Sequence, residues 1–157
     1  MKNIFRLTIS ILICQLAGII GSIFTASSIT GWYASLNKPS FNPPNWIFSP
    51  VWITLFLLMG ISLYIVWSSK TKINYKKTAF IFFGLQLLLN SLWSIIFFGF
   101  QAPFYAFIEI ILLWIFILFT IIVFYRISRL ASYLLMPYIL WVSFAAVLNF
   151  FIFILNH

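Results

Sequence analysis

Few side chains in this sequence are equipped for chemistry. Glu109 is the only acidic residue, His157 the only histidine and Cys14 the only cysteine. The sequence therefore holds no pair of carboxylates, no metal-ligating cluster, no redox pair and no glycine-rich phosphate loop. Hydrolase, kinase and metal-enzyme readings are poor, and no metal or required cofactor is expected. What remains is amides and aromatic rings. Gln86, Asn90, Trp93 and Ser94 share one helix face by their spacing of three and four. Tyr138, Trp141, Ala145 and Asn149 repeat the pattern on a second face. An amide in an apolar helix needs a partner, either an interhelical hydrogen bond worth about 0.6–2 kcal/mol or a ligand. The flat wall of Trp93 beside Asn90 favours a pocket. Small Ala145 and Ala146 leave room beside Trp141 that a core built only for packing would fill. An apolar cavity lined by tryptophans, with rare polar anchors, suits a flat hydrophobic ligand.

The elements that position these residues follow from composition. Of 157 residues, 64% are hydrophobic and 6% charged, too little polar surface for a soluble domain of this size. Five apolar stretches, at about 4–25, 50–67, 78–99, 104–125 and 130–155, each approach the roughly 20 residues that a membrane-crossing helix needs. The period-2 alternation of a membrane barrel is absent, so the spans are helices. The predicted fold is all-α, a single transmembrane domain of five helices.

Residues 26–49 join the first two spans and are unlike the rest. Pro39, Pro43, Pro44 and Pro50 prevent one continuous helix through this region. Trp32, Tyr33, Phe41, Trp46 and Trp52 give it rings suited to the lipid–water boundary. It is expected to be an ordered loop that acts as a lid over Trp52. Gln15, Gly18 and Ser22 form a small face on the first span, expected to be a helix–helix contact. Glu109 lies about 8 Å inside the fourth span by helical rise. A carboxylate there is costly unless it is protonated or bonded, so it should face the pocket or another helix rather than lipid. Pro137 should kink the fifth span about a turn after its start.

The net charge of +8 marks topology rather than nucleic-acid binding. Lys2 and Arg6 precede the first span, Lys70, Lys72, Lys76 and Lys77 follow the second, and Arg126 and Arg129 follow the fourth. All eight fall on one side, against Lys38 alone on the other. The positive-inside rule then places the N-terminus in the cytoplasm, and the lid and C-terminus outside. The four lysines at 70–77 are expected in a short loop, solvated or near anionic lipid headgroups. The opening 25 residues have a basic start like a signal peptide, but their apolar run exceeds the usual ~7–15-residue core. Removing them would also misplace the lysine-rich loop.

Several motifs together resemble the tryptophan-rich sensory protein family, also called the translocator protein or peripheral-type benzodiazepine receptor family. They are Trp32-Tyr33-x-x-Leu36-x-Lys38-Pro39-Ser40, Pro43-Pro44, Phe48, Pro50-Val51-Trp52, Asn90-x-x-Trp93-Ser94 and Leu135-x-Pro137-Tyr138-x-x-Trp141, the last running on to Asn149. The resemblance covers about residues 10–156. It implies five membrane helices, frequent homodimers, and a pocket for porphyrins such as protoporphyrin IX and for benzodiazepine-type drugs. Carried over residue by residue, the pocket involves Tyr33, Pro43, Trp52, Asn90, Ser94 and Trp141, with Glu109 at the acidic position of the fourth helix. Tyr138 and Ala145, from the second polar–aromatic face, complete the candidate ligand site. The membrane implied is a bacterial cell membrane. Phe41 stands where the family usually has tryptophan, which removes a ring N–H. The late fifth helix lacks the tyrosine and basic residue of the animal sterol pattern, so sterol is not an expected partner.

Three functions compete. One is a receptor or sensor for tetrapyrroles. Another is light-dependent porphyrin breakdown, with Trp52 and Trp141 as the candidate catalytic residues. The third is a porphyrin transporter, disfavoured because paired broken helices are absent.

Overall fold

Without water to satisfy backbone amides inside a bilayer, apolar runs of this length close their hydrogen bonds within helices. The computed structural model describes residues 2–157 and is all-helical among them. Helices α1 (Lys2–Ser28), α2 (Trp32–Ser35), α3 (Asn45–Ser68), α4 (Ile73–Ser94), α5 (Pro103–Ile127), α6 (Arg129–Leu134) and α7 (Met136–Leu155) follow in order. Five are long and apolar enough to cross a membrane, counting α6 and α7 as one broken helix and α4 with its extension to Gly99. Around the bundle, α1 packs between α3 and α4, α5 backs onto α4 and α7, and α6 closes the ring against α3.

Element ends depart from the sequence expectations for local reasons. The first connection covers only 29–44, because α1 runs on to Ser28 and α3 begins at Asn45. Pro43 and Pro44 hold the preceding chain extended, with Pro44 at φ −55° and ψ 142°, and the helix starts at the next residue. Pro50, expected to open the second span, lies inside α3 instead. In the helix's second turn it removes only the bond to the Trp46 carbonyl, a local loss near the helix end. The lysine-rich connection also shrinks, since α4 starts at Ile73 and takes in Lys76 and Lys77. Lys76 is not left in solvent. Its ammonium donates to the carbonyls of Trp67 (3.1 Å) and Ser69, covering the carbonyl end of α3.

Beyond Ser94 the fourth element continues as one π turn, Ile95–Gly99, in which the Phe100 N–H donates to the Ile95 carbonyl at 2.9 Å. The wider turn lets the adjacent Phe97 and Phe98 both pack inward. The fifth span breaks at Leu135 (φ −89°, ψ −8°), two residues before Pro137, as the missing proline N–H requires.

Close approaches and buried hydroxyls hold the ring together. A Cβ on Gly60 would lie 2.7 Å from the Ile11 Cα, and one on Gly18 2.6 Å from the Phe56 ring. Gly60 lets α3 meet the α1 backbone, and Gly18 makes room on α1 for the Phe56 ring. Ser62 Oγ donates to the Ala131 carbonyl (2.6 Å), Ser91 Oγ to Ala17 (3.1 Å) and Ser28 Oγ to Phe98 (2.7 Å). Each bond links two elements and satisfies a polar group where lipid offers no substitute.

Candidate functional site

A cavity of about 380 Å³ lies in the half of the bundle nearest the 29–44 connection. Its walls come from α1, α3, α4 with its π turn, and α7, with Tyr33 contributed by α2. Six of the nine residues expected at a ligand site stand on this wall: Tyr33, Trp52, Asn90, Ser94, Trp141 and Ala145. Trp52 stacks on Phe56 (centroids 5.6 Å apart, 29° between planes), and Trp141 packs against Phe48 and Phe144.

Three expected site residues are elsewhere. Tyr138 sits one layer behind the wall, only 1% exposed, with its ring edge toward Trp52 at 6.4 Å. Its hydroxyl accepts from Asn90 Nδ2 (2.8 Å) and donates to Gln86 Oε1 (2.8 Å). It fixes the amide that the cavity presents instead of touching the cavity itself. Glu109 is buried on α5, which supplies no part of the wall, and neither carboxylate oxygen has a hydrogen-bond partner. It is turned into the bundle rather than to lipid, as expected, and of the two alternatives, protonation or a bonded polar neighbour, the second is not met among the described residues. Pro43 lies in the extended stretch before α3, where its carbonyl accepts from Asn42 Nδ2 (3.1 Å).

Tyr33 ties the connection to the site. Its ring is buried against Phe97 and Phe98, and its hydroxyl donates to Asn42 Oδ1 at 2.9 Å. Burial pushes the hydroxyl up to about 12, with the Asn42 bond pulling the other way, so Tyr33 stays neutral at physiological pH. The ammonium of Lys38 lies 4.8 Å from the centre of this ring and donates to the Ala34 and Leu36 carbonyls.

Sequence reasoning passed over several wall residues. Gln15, Gly18 and Ser22 of α1, read from the sequence as a packing face, line the cavity, and Gly21 lines it beside them. Both uses hold, since Gly18 takes Phe56 against its backbone while its neighbours bound the space. Trp93 lines the wall, as its place beside Asn90 suggested, its N–H held by Asn149 Oδ1 (3.0 Å), while Asn149 Nδ2 reaches the Pro103 carbonyl (2.8 Å). The indole N–H of Trp141 is buried without a partner among the described residues. Among the described residues no group of three or more His, Cys, Asp or Glu is placed to hold a metal ion. The arrangement is an aromatic-walled cavity with three hydrogen-bonded amides, Gln15, Asn90 and Asn149, on its lining.

Residues 10–155 match the model of the TspO/MBR family. The chain belongs to this family. It is 46% identical over 155 residues to the tryptophan-rich protein TspO of Chlorobaculum tepidum, covering 99% of this chain and 98% of that one. It is 38% identical over 141 residues to the translocator protein of Homo sapiens, covering 88% and 82% of the two chains. The tryptophan-rich sensory protein of Cereibacter sphaeroides is 34% identical over 119 residues, with 76% and 73% covered. The TspO/MBR assignment spans the whole bundle, so every wall of the cavity lies within the matched region.

Proposed function

We propose that this protein is a membrane receptor or sensor that binds tetrapyrroles such as protoporphyrin IX, and benzodiazepine-type ligands, in the cavity beside the 29–44 connection. The observation that carries this reading is a cavity walled by Trp52, Trp93 and Trp141 with the Asn90 amide braced at its edge. Ring faces stack on a flat macrocycle, adding about 0.5–1.5 kcal/mol per aromatic contact beyond area burial. The volume falls within the range of about 300–1,000 Å³ typical of small-molecule sites. No catalytic group beyond the tryptophans themselves faces the space.

Trp52→Leu and Trp141→Leu are each expected to weaken protoporphyrin binding roughly tenfold, since about 1.4 kcal/mol corresponds to one decade. Trp67→Leu is the control, because Trp67 lies at the far end of α3, its ring 5.7 Å from the Arg6 guanidinium. Titration of tryptophan fluorescence would read all three. Equal losses in the three variants at equal thermal stability would remove the cavity as the binding site.

We further propose a bacterial cell membrane as its location, with the N-terminus in the cytoplasm and the 29–44 connection outside. The eight-to-one bias of Lys and Arg supports this orientation. In a Cys14→Ala background, an impermeant thiol reagent on intact cells should label Ser40→Cys and spare Thr71→Cys. The opposite pattern would invert the topology.

A further inference from the structure

The cavity lies under a fastened connection at the end of the bundle and behind a thin wall at its side. At the end, the Asn37 backbone N–H donates to Asn156 Oδ1 and the Asn37 carbonyl accepts from Asn156 Nδ2, both at 2.8 Å. The Asn37 side chain adds a bond to the Leu155 carbonyl at 3.4 Å. This reciprocal amide clamp fastens the 29–44 connection to the end of α7. Phe41 reinforces it, set edge-on against Phe151 at 5.3 Å. Tyr33, at 2% exposure, packs against Phe98 of the π turn.

The side between α1 and α3 differs. Ile19 and Ile53 both line the cavity, yet they are 55% and 59% exposed. Ser22 and Ser49 line it and are exposed as well. A residue that faces both the cavity and the outer surface marks a wall one side chain thick. The Ser22 hydroxyl is turned back onto the Ile19 carbonyl at 2.8 Å, so an apolar molecule passing it meets a satisfied polar group. Farther along, the two helices lock together where Gly60 meets Ile11 and Gly18 meets Phe56. Gln15 spans the edge of that lock, its Nε2 donating to the Ile53 carbonyl at 3.2 Å, the one hydrogen bond between α1 and α3 among the described residues.

We infer that ligands enter this cavity sideways from the lipid, between α1 and α3 past Ile19 and Ile53, and not from water past the 29–44 connection. The inference rests on the ligand reading above and adds its consequence, that the occupant is a molecule dissolved in the bilayer before it binds. Gln15 is then the strut at the edge of the mouth. Stacked neighbouring ends can stay shut throughout, because the clamp at Asn37 and Asn156 need not open.

The test uses the full chain with Cys14→Ala in lipid nanodiscs, and protoporphyrin IX followed by stopped-flow quenching of tryptophan fluorescence. A short bifunctional thiol reagent bridges either Ile19→Cys to Ile53→Cys, across the mouth, or Asn37→Cys to Asn156→Cys, across the clamp. Against the same double-cysteine protein before bridging, closing the mouth should slow association and dissociation together by about tenfold or more, leaving the equilibrium constant little changed, as expected when only the route is blocked. Bridging the clamp should leave both rates as they are. Ile53→Trp, which narrows the mouth without a cross-link, should slow association whatever its added ring does to the equilibrium constant. Rates that respond to the clamp and not to the mouth would overturn the lateral route while leaving the ligand reading intact. Absence of protoporphyrin binding in the unbridged protein would overturn the ligand reading, and this route with it.

Discussion

Gly60→Val is expected to be the most damaging single substitution in the bundle. A Cβ there would stand 2.7 Å from the Cα and 3.1 Å from the backbone nitrogen of Ile11. The obstruction is α1 itself, and a helix backbone cannot rotate aside as a flexible side-chain end can. Overpacking typically costs ~1–3 kcal/mol and occasionally more, so Gly60→Ala should sit near the top of that range and Gly60→Val beyond it. At about 2–4 °C per kcal/mol for a chain of this size, Gly60→Ala should lower the melting temperature by about 6–12 °C. Gly84→Ala is the matched control, because nothing lies within 4 Å of the position its Cβ would take. There alanine's better helix propensity should be neutral or gain up to about 1 kcal/mol. Thermal unfolding of the detergent-solubilised protein reads both variants. A Gly60→Ala protein that melts with the unaltered one would show that α1 and α3 are not held by this contact.

Tyr138→Phe is expected to damage stability and binding together. The hydroxyl it removes is the only partner of Asn90 Nδ2 and of Gln86 Oε1 among the described residues, and all three side chains are buried. An orphaned buried group in a soluble core costs ~1–3 kcal/mol, whereas hydrogen bonds inside membrane bundles average ~0.6 kcal/mol each. Two bonds lost on those scales give about 2 kcal/mol. The more diagnostic effect is on Asn90, which loses its brace at the cavity wall and should hold a ligand less well. Because Gln86 and Tyr138 share one bond, the Gln86→Leu, Tyr138→Phe double variant should cost less than the sum of the singles. Unchanged melting and unchanged protoporphyrin affinity in Tyr138→Phe would show the network to be idle.

The helices were legible in the sequence because each span is a long apolar run, and Pro137 announced its own break. Their ends were not. Pro43 and Pro44 read as loop, yet a proline pair is also a good start for a helix, and α3 begins directly after it. The π turn at Ile95–Gly99 has no local signature, since it depends on what packs against Phe97 and Phe98. Of the site, Trp52, Asn90 and Trp141 could be found from their type and spacing. Tyr138 and Trp141 share a face only approximately, three residues being 60° short of a full turn. That offset sends Trp141 to the cavity and Tyr138 to Gln86. Glu109 lies inside the bundle, as an intramembrane acid should, but off the cavity wall. An intramembrane acid draws attention, but whether its helix fronts the cavity or backs it depends on the order of helices around the ring, which a single chain does not declare.

The amide clamp also dictates when the molecule can become complete. Asn37 and Asn156 are separated by 119 positions. At a synthesis rate of about 5–20 residues per second, the ribosome needs roughly 6–24 s to travel between them. Throughout that interval the nascent chain holds Asn37 without its partner, however many spans have already entered the bilayer. Closure of the aromatic-walled cavity is therefore among the last events of biogenesis, and a chain stalled before Asn156 has a membrane-inserted bundle whose end is still unfastened.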